Sequence, residues 1–138
     1  MGVSLMRVIE LKSKDIEQVK INNTIIEINK ADQTFYYKLV SWLAELEKVA
    51  GELESASGMA AMALLNKANI DCKNKFIELF GKDKWVEIFE IDNESELPYF
   101  LIYIKVIMGL VPIYNEYINE KTESIINKYN ASRVGSSI

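Results

Sequence analysis

The chain has 138 residues and a net charge of -4, with 49% hydrophobic and 26% charged residues. This length and composition are typical of one globular domain with enough apolar residues for a core. A mildly acidic chain has no general attraction for phosphate backbones, so nucleic-acid binding is disfavoured. The sequence contains no histidine, which excludes the usual transition-metal sites and the Ser/His and Cys/His catalytic arrangements.

The single cysteine, Cys72, cannot form an internal disulfide, which fits a reducing compartment. It lies between Asp71 and Lys73 in a predicted helix with no evident base to activate it, so we predict a buried core cysteine. The segment Met1–Arg7 lacks the long apolar stretch and the cleavage site of a signal peptide. We therefore expect a cytoplasmic protein.

The first thirty residues show a β pattern. Polar and apolar residues alternate in Gln18–Ile21, and a second β-rich run, Thr24–Ile28, follows Asn22-Asn23. Because asparagine tolerates positive φ, this order predicts a hairpin with a two-residue turn. The earlier run Leu5–Leu11 is a candidate third strand.

Helical periodicity begins after the hairpin. Asp32 is the predicted N-cap of a first helix, whose apolar residues recur at spacings of three and four. The small residues Ser55–Gly58 interrupt the pattern, and a second helix is predicted to run from Met59 to Phe80. Gly81 is its predicted C-terminal cap.

Two further helices are predicted in the second half of the chain. Asp83 begins a short one, Lys84–Phe89, and an acidic connector, Glu90–Glu96, follows it. We predict that Ser95 caps the last helix and that Pro98 lies in its first turn.

The last helix is predicted to extend from Leu97 to about Tyr129. Its first half is very apolar, but Lys105 interrupts it, and the charge-free run that follows is shorter than the ~20 residues of a membrane span. A central core helix without membrane contact is therefore predicted. Gly109 and Pro112 should bend or break it, and the tail Asn130–Ile138 is expected to be flexible.

The sequence offers no recognisable catalytic or cofactor site. It has no glycine-rich phosphate loop and no acidic pair suited to general acid/base chemistry. Asp92–Glu96 faintly resembles a calcium loop, but Leu97 stands where the required glycine should be. We therefore predict a protein that is not an enzyme and that has no metal and no cofactor.

These patterns predict a single α+β domain, mainly α, over residues 1–138. A β-hairpin region (1–30) precedes about four helices in a small bundle (32–129), and a flexible tail (130–138) ends the chain. Four aromatic residues flank the acidic connector and are candidates for binding a partner or a second copy of the chain: Trp85, Phe89, Tyr99 and Tyr103. The alternative is that they close the core.

An ordered series of segments in the second half carries a family resemblance. Phe76–Gly81 is followed by Trp85–Phe89, an acidic loop, a long apolar helix and the ending Ile126–Arg133. Together with the hairpin at Asn22-Asn23, this series resembles the small tail assembly chaperones of long-tailed phages and phage-like particles of Gram-positive hosts. The chain departs from that pattern after Arg133, where it ends in small and polar residues in place of further basic ones.

The resemblance implies a role in the cytoplasm of a bacterial host. A chaperone of this type binds the long, hydrophobic tape-measure protein while tail-tube subunits assemble around it, and it is absent from the finished particle. The tape-measure protein is thus the expected partner, with the tail-tube protein as a further candidate and self-association left open. The alternative is a structural tail or baseplate component that stays in the particle.

Overall fold

The fold begins with strands and continues with helices. The computed structural model describes residues 6–9 and 15–136. Within these residues a two-stranded N-terminal hairpin precedes four helices, and the structure is 70% helical and 10% strand. The predicted fold class, α+β and mainly α with an N-terminal hairpin, is confirmed.

The hairpin consists of β1 (Ile16–Ile21) and β2 (Thr24–Asn29), which pair antiparallel around the Asn22-Asn23 turn. Asn22 has a φ of 53°, which is the positive φ that its position predicted. Its side-chain Nδ2 also donates a hydrogen bond of 2.8 Å to the carbonyl of Ile88, so the turn is attached to the helical part of the protein.

The candidate third strand at Leu5–Leu11 is only partly described. Residues 6–9 have no regular secondary structure, and the remaining positions of the run lie outside the described residues. One face of β2 is buried, through alternate residues that match the strand period of two: Thr24, Ile26 and Ile28.

The first two helices begin and end near the predicted positions. Helix α1 (Gln33–Ser55) starts after Asp32, whose Oδ1 accepts a 3.0 Å hydrogen bond from the backbone N–H of Phe35. Helix α2 (Gly58–Phe80) ends at Gly81, which has a φ of 92°. A φ in this region favours glycine, as the predicted cap requires.

The remaining helices are α3 (Lys82–Ile88) and α4 (Phe100–Ser136). Helix α4 is continuous through Gly109 and Pro112, so the predicted break does not occur. Proline in a helix interior removes a hydrogen bond and costs roughly 3 kcal/mol. The buried side chains of Leu110 and Tyr114, on either side of the proline, provide packing that offsets this cost.

Both ends of α4 differ from the prediction. The helix begins at Phe100, so Ser95 is not its N-cap and Pro98 precedes it. The side chain of Asn69, on α2, accepts a 2.9 Å hydrogen bond from the N–H of Phe100 and takes the place of a local cap. At the other end the helix continues past Tyr129 to Ser136, into the segment 130–138 for which a flexible tail was predicted.

The Asn69 cap supports a first prediction. Asn69→Ala removes the acceptor for the first N–H of α4, and we expect it to lower the free energy of unfolding by about 1 kcal/mol. For a domain of this size the melting temperature should fall by roughly 3–5 °C in calorimetry. Asn66→Ala, at an exposed position of the same helix, is the control. Equal melting temperatures for the two variants would show that Asn69 is not a cap.

The core lies between the four helices and the buried face of β2. Its largest fully buried side chains are aromatic and come from α2, α3 and α4: Phe76, Trp85, Phe100, Tyr103 and Tyr114. Along α4 the buried residues recur at spacings of three and four, so this helix presents one continuous stripe to the core.

Candidate protein-binding surfaces

The structure separates the four predicted partner-binding aromatics into core and surface. Trp85 and Tyr103 are fully buried, and the indole Nε1–H of Trp85 donates a 3.1 Å hydrogen bond to the hydroxyl of Tyr103. The rings of Phe89 and Tyr103 have centroids 4.9 Å apart, and Phe89 is partly buried. Tyr99, in contrast, is 45% exposed.

Trp85 and Tyr103 lie in the core, in agreement with the alternative prediction for these two residues, whereas Tyr99 lies at the surface. The physical reason is that Tyr99 precedes α4, so the helical spacing that turns Tyr103 inward does not apply to it. Phe89 lies at the boundary, where it covers Tyr103 and also lines a surface groove. The role of the set in binding a partner stays a prediction.

Tyr99 borders a small apolar depression between the end of α1 and the start of α4. We call this depression of about 310 Å³ the Tyr99 pocket; it is lined by Ala50, Leu53, Glu54, Tyr99, Phe100 and Leu101. The ring of Tyr99 packs edge-on against that of Phe100, with centroids 5.2 Å apart. An amphipathic aromatic ring beside an apolar depression can contact a partner with little loss of side-chain entropy.

A longer groove also adjoins the start of α4, on the side of the helix that faces β1 and the end of α3. It consists of two adjoining depressions of about 370 and 420 Å³, which share Phe89 and Ile102. Its floor is α4, and its walls are β1, the end of α3 and the segment before α4. The residues that line it are mostly apolar: Val19, Ile21, Ile88, Phe89, Ile91, Leu97, Pro98, Ile102, Val106 and Leu110.

The second half of α4 carries a small group of exposed apolar side chains among polar ones. Every residue from Asn119 to Ala131 is exposed, and this segment includes Ile125, Ile126 and Tyr129. Ile125 is 68% exposed and Tyr129 is 65% exposed. Large apolar side chains grouped in this way on one helix mark an interaction surface more often than singly scattered ones do.

One helical segment within the described ranges, Phe100–Ala131, is long and apolar enough to cross a membrane by length and composition alone. The core helix of a soluble protein meets the same criterion. The first half of this segment packs against the rest of the protein through five buried residues: Phe100, Tyr103, Ile107, Leu110 and Tyr114.

Cys72 is buried, as predicted, with its side chain in the core between α1 and α2. Burial raises the pKa of its thiol to about 12, and the neighbouring charge of Asp71 adds to the increase. At neutral pH the thiol therefore stays protonated, and a protonated, enclosed thiol is a poor nucleophile.

The acidic connector is held by contacts within the protein. The side-chain carboxylate of Glu94 pairs with Lys82. The backbone carbonyl of Glu94 accepts a 2.8 Å hydrogen bond from Lys73 Nζ. The side chain of Asn93 accepts from the N–H of Ser95 at 3.0 Å. Across residues 6–9 and 15–136, no three potential ligand side chains form a group that could hold a metal ion.

The comparisons with known proteins add no relative. The chain matches no protein-family model, no curated protein and no solved structure.

Proposed function

We propose that the chain is a tail assembly chaperone, which acts by binding a hydrophobic partner and not by catalysis. The order of the segments resembles that chaperone family, and the mainly helical fold after a hairpin is the architecture that the resemblance implies. The partner we propose is the tape-measure protein, and the place of action is the host cytoplasm. Exposed apolar surface is what such a role requires, because a chaperone must cover apolar residues of its partner.

The observation that carries this proposal is the exposed ring of Tyr99 beside its pocket. Tyr99 is the one member of the predicted aromatic set that combines substantial exposure with an apolar depression next to it. Its neighbours Leu53 and Leu101 can accept an aliphatic side chain from an apolar partner helix. Glu54, at the edge, supplies a polar rim of the kind that surrounds binding residues at interfaces.

Co-expression with the tape-measure protein tests the role of Tyr99. Aromatic anchors often contribute about 2 kcal/mol or more to an interface, so Tyr99→Ala should weaken binding by roughly 30-fold. We expect recovery of soluble tape-measure protein in a pull-down to fall accordingly. Because Tyr99 is not a core residue, the melting temperature should change little.

Tyr37→Ala is the matched control, since Tyr37 lies on α1 and is 72% exposed. This variant loses the same aromatic area at a different place and should retain wild-type recovery. Unchanged recovery with a stably folded Tyr99→Ala protein would rule out the Tyr99 pocket as the contact surface. Failure of the wild-type chain to retain the tape-measure protein at all would contradict the chaperone proposal.

The fate of the chain after assembly distinguishes a chaperone from a structural tail or baseplate component. We expect mass spectrometry of purified particles to detect the tail-tube and tape-measure proteins and not this chain. Its presence in a fixed ratio to the tail-tube subunits would favour the structural alternative.

A further inference from the structure

The Tyr99 pocket has one charged wall among apolar ones. Its lining combines five apolar or aromatic residues with a single charged side chain, that of Glu54. Glu54 is exposed, and it belongs to none of the ion pairs among the described residues. An apolar depression with an unpaired carboxylate at its edge fits a ligand that is apolar along its length and positively charged at its end.

The pocket lies at the carboxyl end of α1, which adds to the negative potential. The C-terminal end of a helix carries about half a negative charge and is stabilised by cations. The last turn of α1 contains no basic residue and holds Glu52 and Glu54. Lys67 is close enough to Glu52 to interact with its charge, but it pairs with Asp71 at 2.7 Å and does not line the pocket. The charge of Glu54 at this helix end is therefore not compensated by the pocket itself.

The same excess of negative charge extends along the second half of α1. Positions 45–55 carry four glutamates and one lysine: Glu45, Glu47, Glu52, Glu54 and Lys48. Within residues 6–9 and 15–136, none of these five side chains forms an ion pair. A surface with one sign of charge attracts segments of the opposite sign and speeds their association. The charge complement of this surface is a basic segment.

The ring of Tyr99 is a second group that attracts a cation. A lysine or arginine within about 6 Å of an aromatic ring centroid is drawn to the face of the ring. The protein contains such contacts elsewhere, since Lys73 Nζ lies 4.7 Å from the ring centroid of Trp85 and Lys121 Nζ lies 5.3 Å from that of Tyr117. In the part of the chain that the structure describes, no cation lies over Tyr99, which is 45% exposed. Its ring is open to a cation from outside.

Lysine and arginine match both parts of the pocket. Their aliphatic stems can lie on apolar surface while the charged end stays near water. Leu53 and Leu101 provide that apolar surface, and Glu54 and Tyr99 meet the charged end. A purely aliphatic side chain would cover Glu54 without pairing it, and an acidic one would be repelled, so both are disfavoured.

We propose that the Tyr99 pocket selects a lysine or arginine side chain on an otherwise apolar segment of the partner. Glu54 is then the residue that determines this specificity, and Tyr99 and the two leucines hold the aliphatic stem and the cation in place. The inference rests on the proposed function for the identity of the partner, but the preference of the pocket for a basic side chain can be measured without that partner.

The first test is a titration of the isotope-labelled chain with single residues, followed by NMR. The probes are Nα-acetyl-arginine methylamide and Nα-acetyl-lysine methylamide, and the control is the uncharged Nα-acetyl-norleucine methylamide. We expect the basic probes to shift the backbone amide signals of Leu53, Tyr99 and Leu101, with saturation in roughly the millimolar range for ligands of this size. Equal shifts with norleucine, or no shifts with the basic probes, would overturn the proposal.

The second test changes the charge of Glu54. Glu54→Gln keeps the size of the side chain and should weaken binding of the arginine probe roughly fivefold, as loss of one exposed ion pair would. Glu54→Lys should abolish it. Glu52→Gln is the matched control, because it removes the same charge two residues away, on the other side of α1 and outside the pocket. Equal affinities of Glu54→Gln and Glu52→Gln for the probe would refute the role of Glu54.

Melting curves separate this role from a structural one. Glu54→Gln removes a negative charge from the negative end of α1, so the melting temperature should rise by roughly 1–4 °C. A residue kept for the stability of the free chain would give a decrease on substitution. A lower melting temperature together with unchanged probe binding would therefore assign Glu54 to the fold and contradict the proposal.

Co-expression with the tape-measure protein connects the pocket to the proposed function. Glu54→Lys should reduce recovery of that protein in a pull-down, and the loss of recovery for the wild type should grow with salt concentration, because salt screens the contact. Full recovery with Glu54→Lys would overturn this inference and leave the chaperone role standing. If the wild-type chain bound the basic probes through Glu54 but did not retain the tape-measure protein, the proposed function would fail and the preference of the pocket would stand.

Discussion

Trp85→Ala should lower the free energy of unfolding by about 3–5 kcal/mol, the range for truncating a fully buried large aromatic side chain. Trp85 is 0% exposed, and α3, a helix of seven residues, attaches to the core through Trp85 and Ile88 alone among its fully buried side chains. Loss of the indole would leave a cavity beneath a helix too short to be stable by itself. The melting temperature should fall by roughly 10–20 °C in calorimetry.

Smaller substitutions separate the packing of Trp85 from its hydrogen bond. Tyr103→Phe removes the hydroxyl that accepts from the indole Nε1–H and leaves that donor buried without this partner. An unsatisfied buried donor costs about 1–3 kcal/mol. The double variant Trp85→Phe/Tyr103→Phe should be less destabilised than the sum of its single changes, because it removes donor and acceptor together. If Trp85→Ala melted like the wild type but lost partner binding, Trp85 would belong to a surface after all.

The elements that the sequence predicted well are those specified by neighbouring residues. The hairpin turn needs a residue that tolerates positive φ, and Asn22 supplies it. The start of α1 needs a side-chain acceptor, and Asp32 supplies it within three residues. The end of α2 needs a glycine, and Gly81 stands there. In each case the signal and the structure lie within one turn of the chain, so the sequence shows both.

The start of α4 could not be predicted in this way. Its first N–H is capped by Asn69, which is 31 residues away, so only the packing of α2 against α4 brings donor and acceptor together. Ser95 and Pro98 have the composition of a helix start, but they belong to the segment before it. A local pattern therefore placed the helix start too early, and the side chain that caps the actual start comes from a tertiary contact.

The sequence also could not predict which of the four aromatic residues are buried and which are exposed. Helix α4 is apolar on most sides in its first half, so periodicity does not identify the side that faces the core. Tyr99 and Tyr103 are four residues apart and would share one face of a helix, yet one is 45% exposed and the other fully buried. The difference follows from the helix start at Phe100, whose N–H is capped by Asn69.

The groove and the exposed second half of α4 could not be predicted from the sequence either. The sequence reveals an amphipathic pattern up to Tyr129, but it cannot show that the other elements end before this part of the helix does. Likewise, the sequence cannot show that Gly109 lies in the floor of an open groove. In both cases, whether a part of α4 forms a free surface depends on which other elements pack against it, and only the folded structure shows this.

The stability of the protein should fall steeply at alkaline pH. Burial raises the pKa of Cys72 from its ordinary value of 9.0 to about 12, and it raises the pKa of Tyr103 and Tyr114 from 10.0 to about 12. Nearby carboxylates add to the effect at two of these sites, Asp71 beside Cys72 and Asp32 beside Tyr114. All three groups are neutral when protonated, so the folded protein binds these protons more tightly than the unfolded chain does.

The direction of the pH dependence follows from this difference. Below about pH 9 both states are protonated at these groups, so their contribution to stability is fully present. As the pH rises towards 12, the unfolded chain loses these protons first, and the free energy of unfolding decreases. Three such groups can together remove several kcal/mol, which is on the order of the net stability of a small domain.

Denaturant titrations at fixed pH values from neutral to alkaline measure the decrease in the free energy of unfolding. Two variants show how much of this decrease comes from Cys72 and from Tyr114. Cys72→Ala should move the start of the decrease upwards by about one pH unit, towards the ordinary pKa of tyrosine, because the cysteine titrates first in the unfolded chain. Tyr114→Phe keeps the ring and should make the decrease above pH 10 shallower. Tyr129→Phe, at a residue that is 65% exposed, is the control and should leave the profile unchanged. A wild-type stability that stays constant from pH 8 to about pH 11 would contradict the buried, neutral state of all three groups.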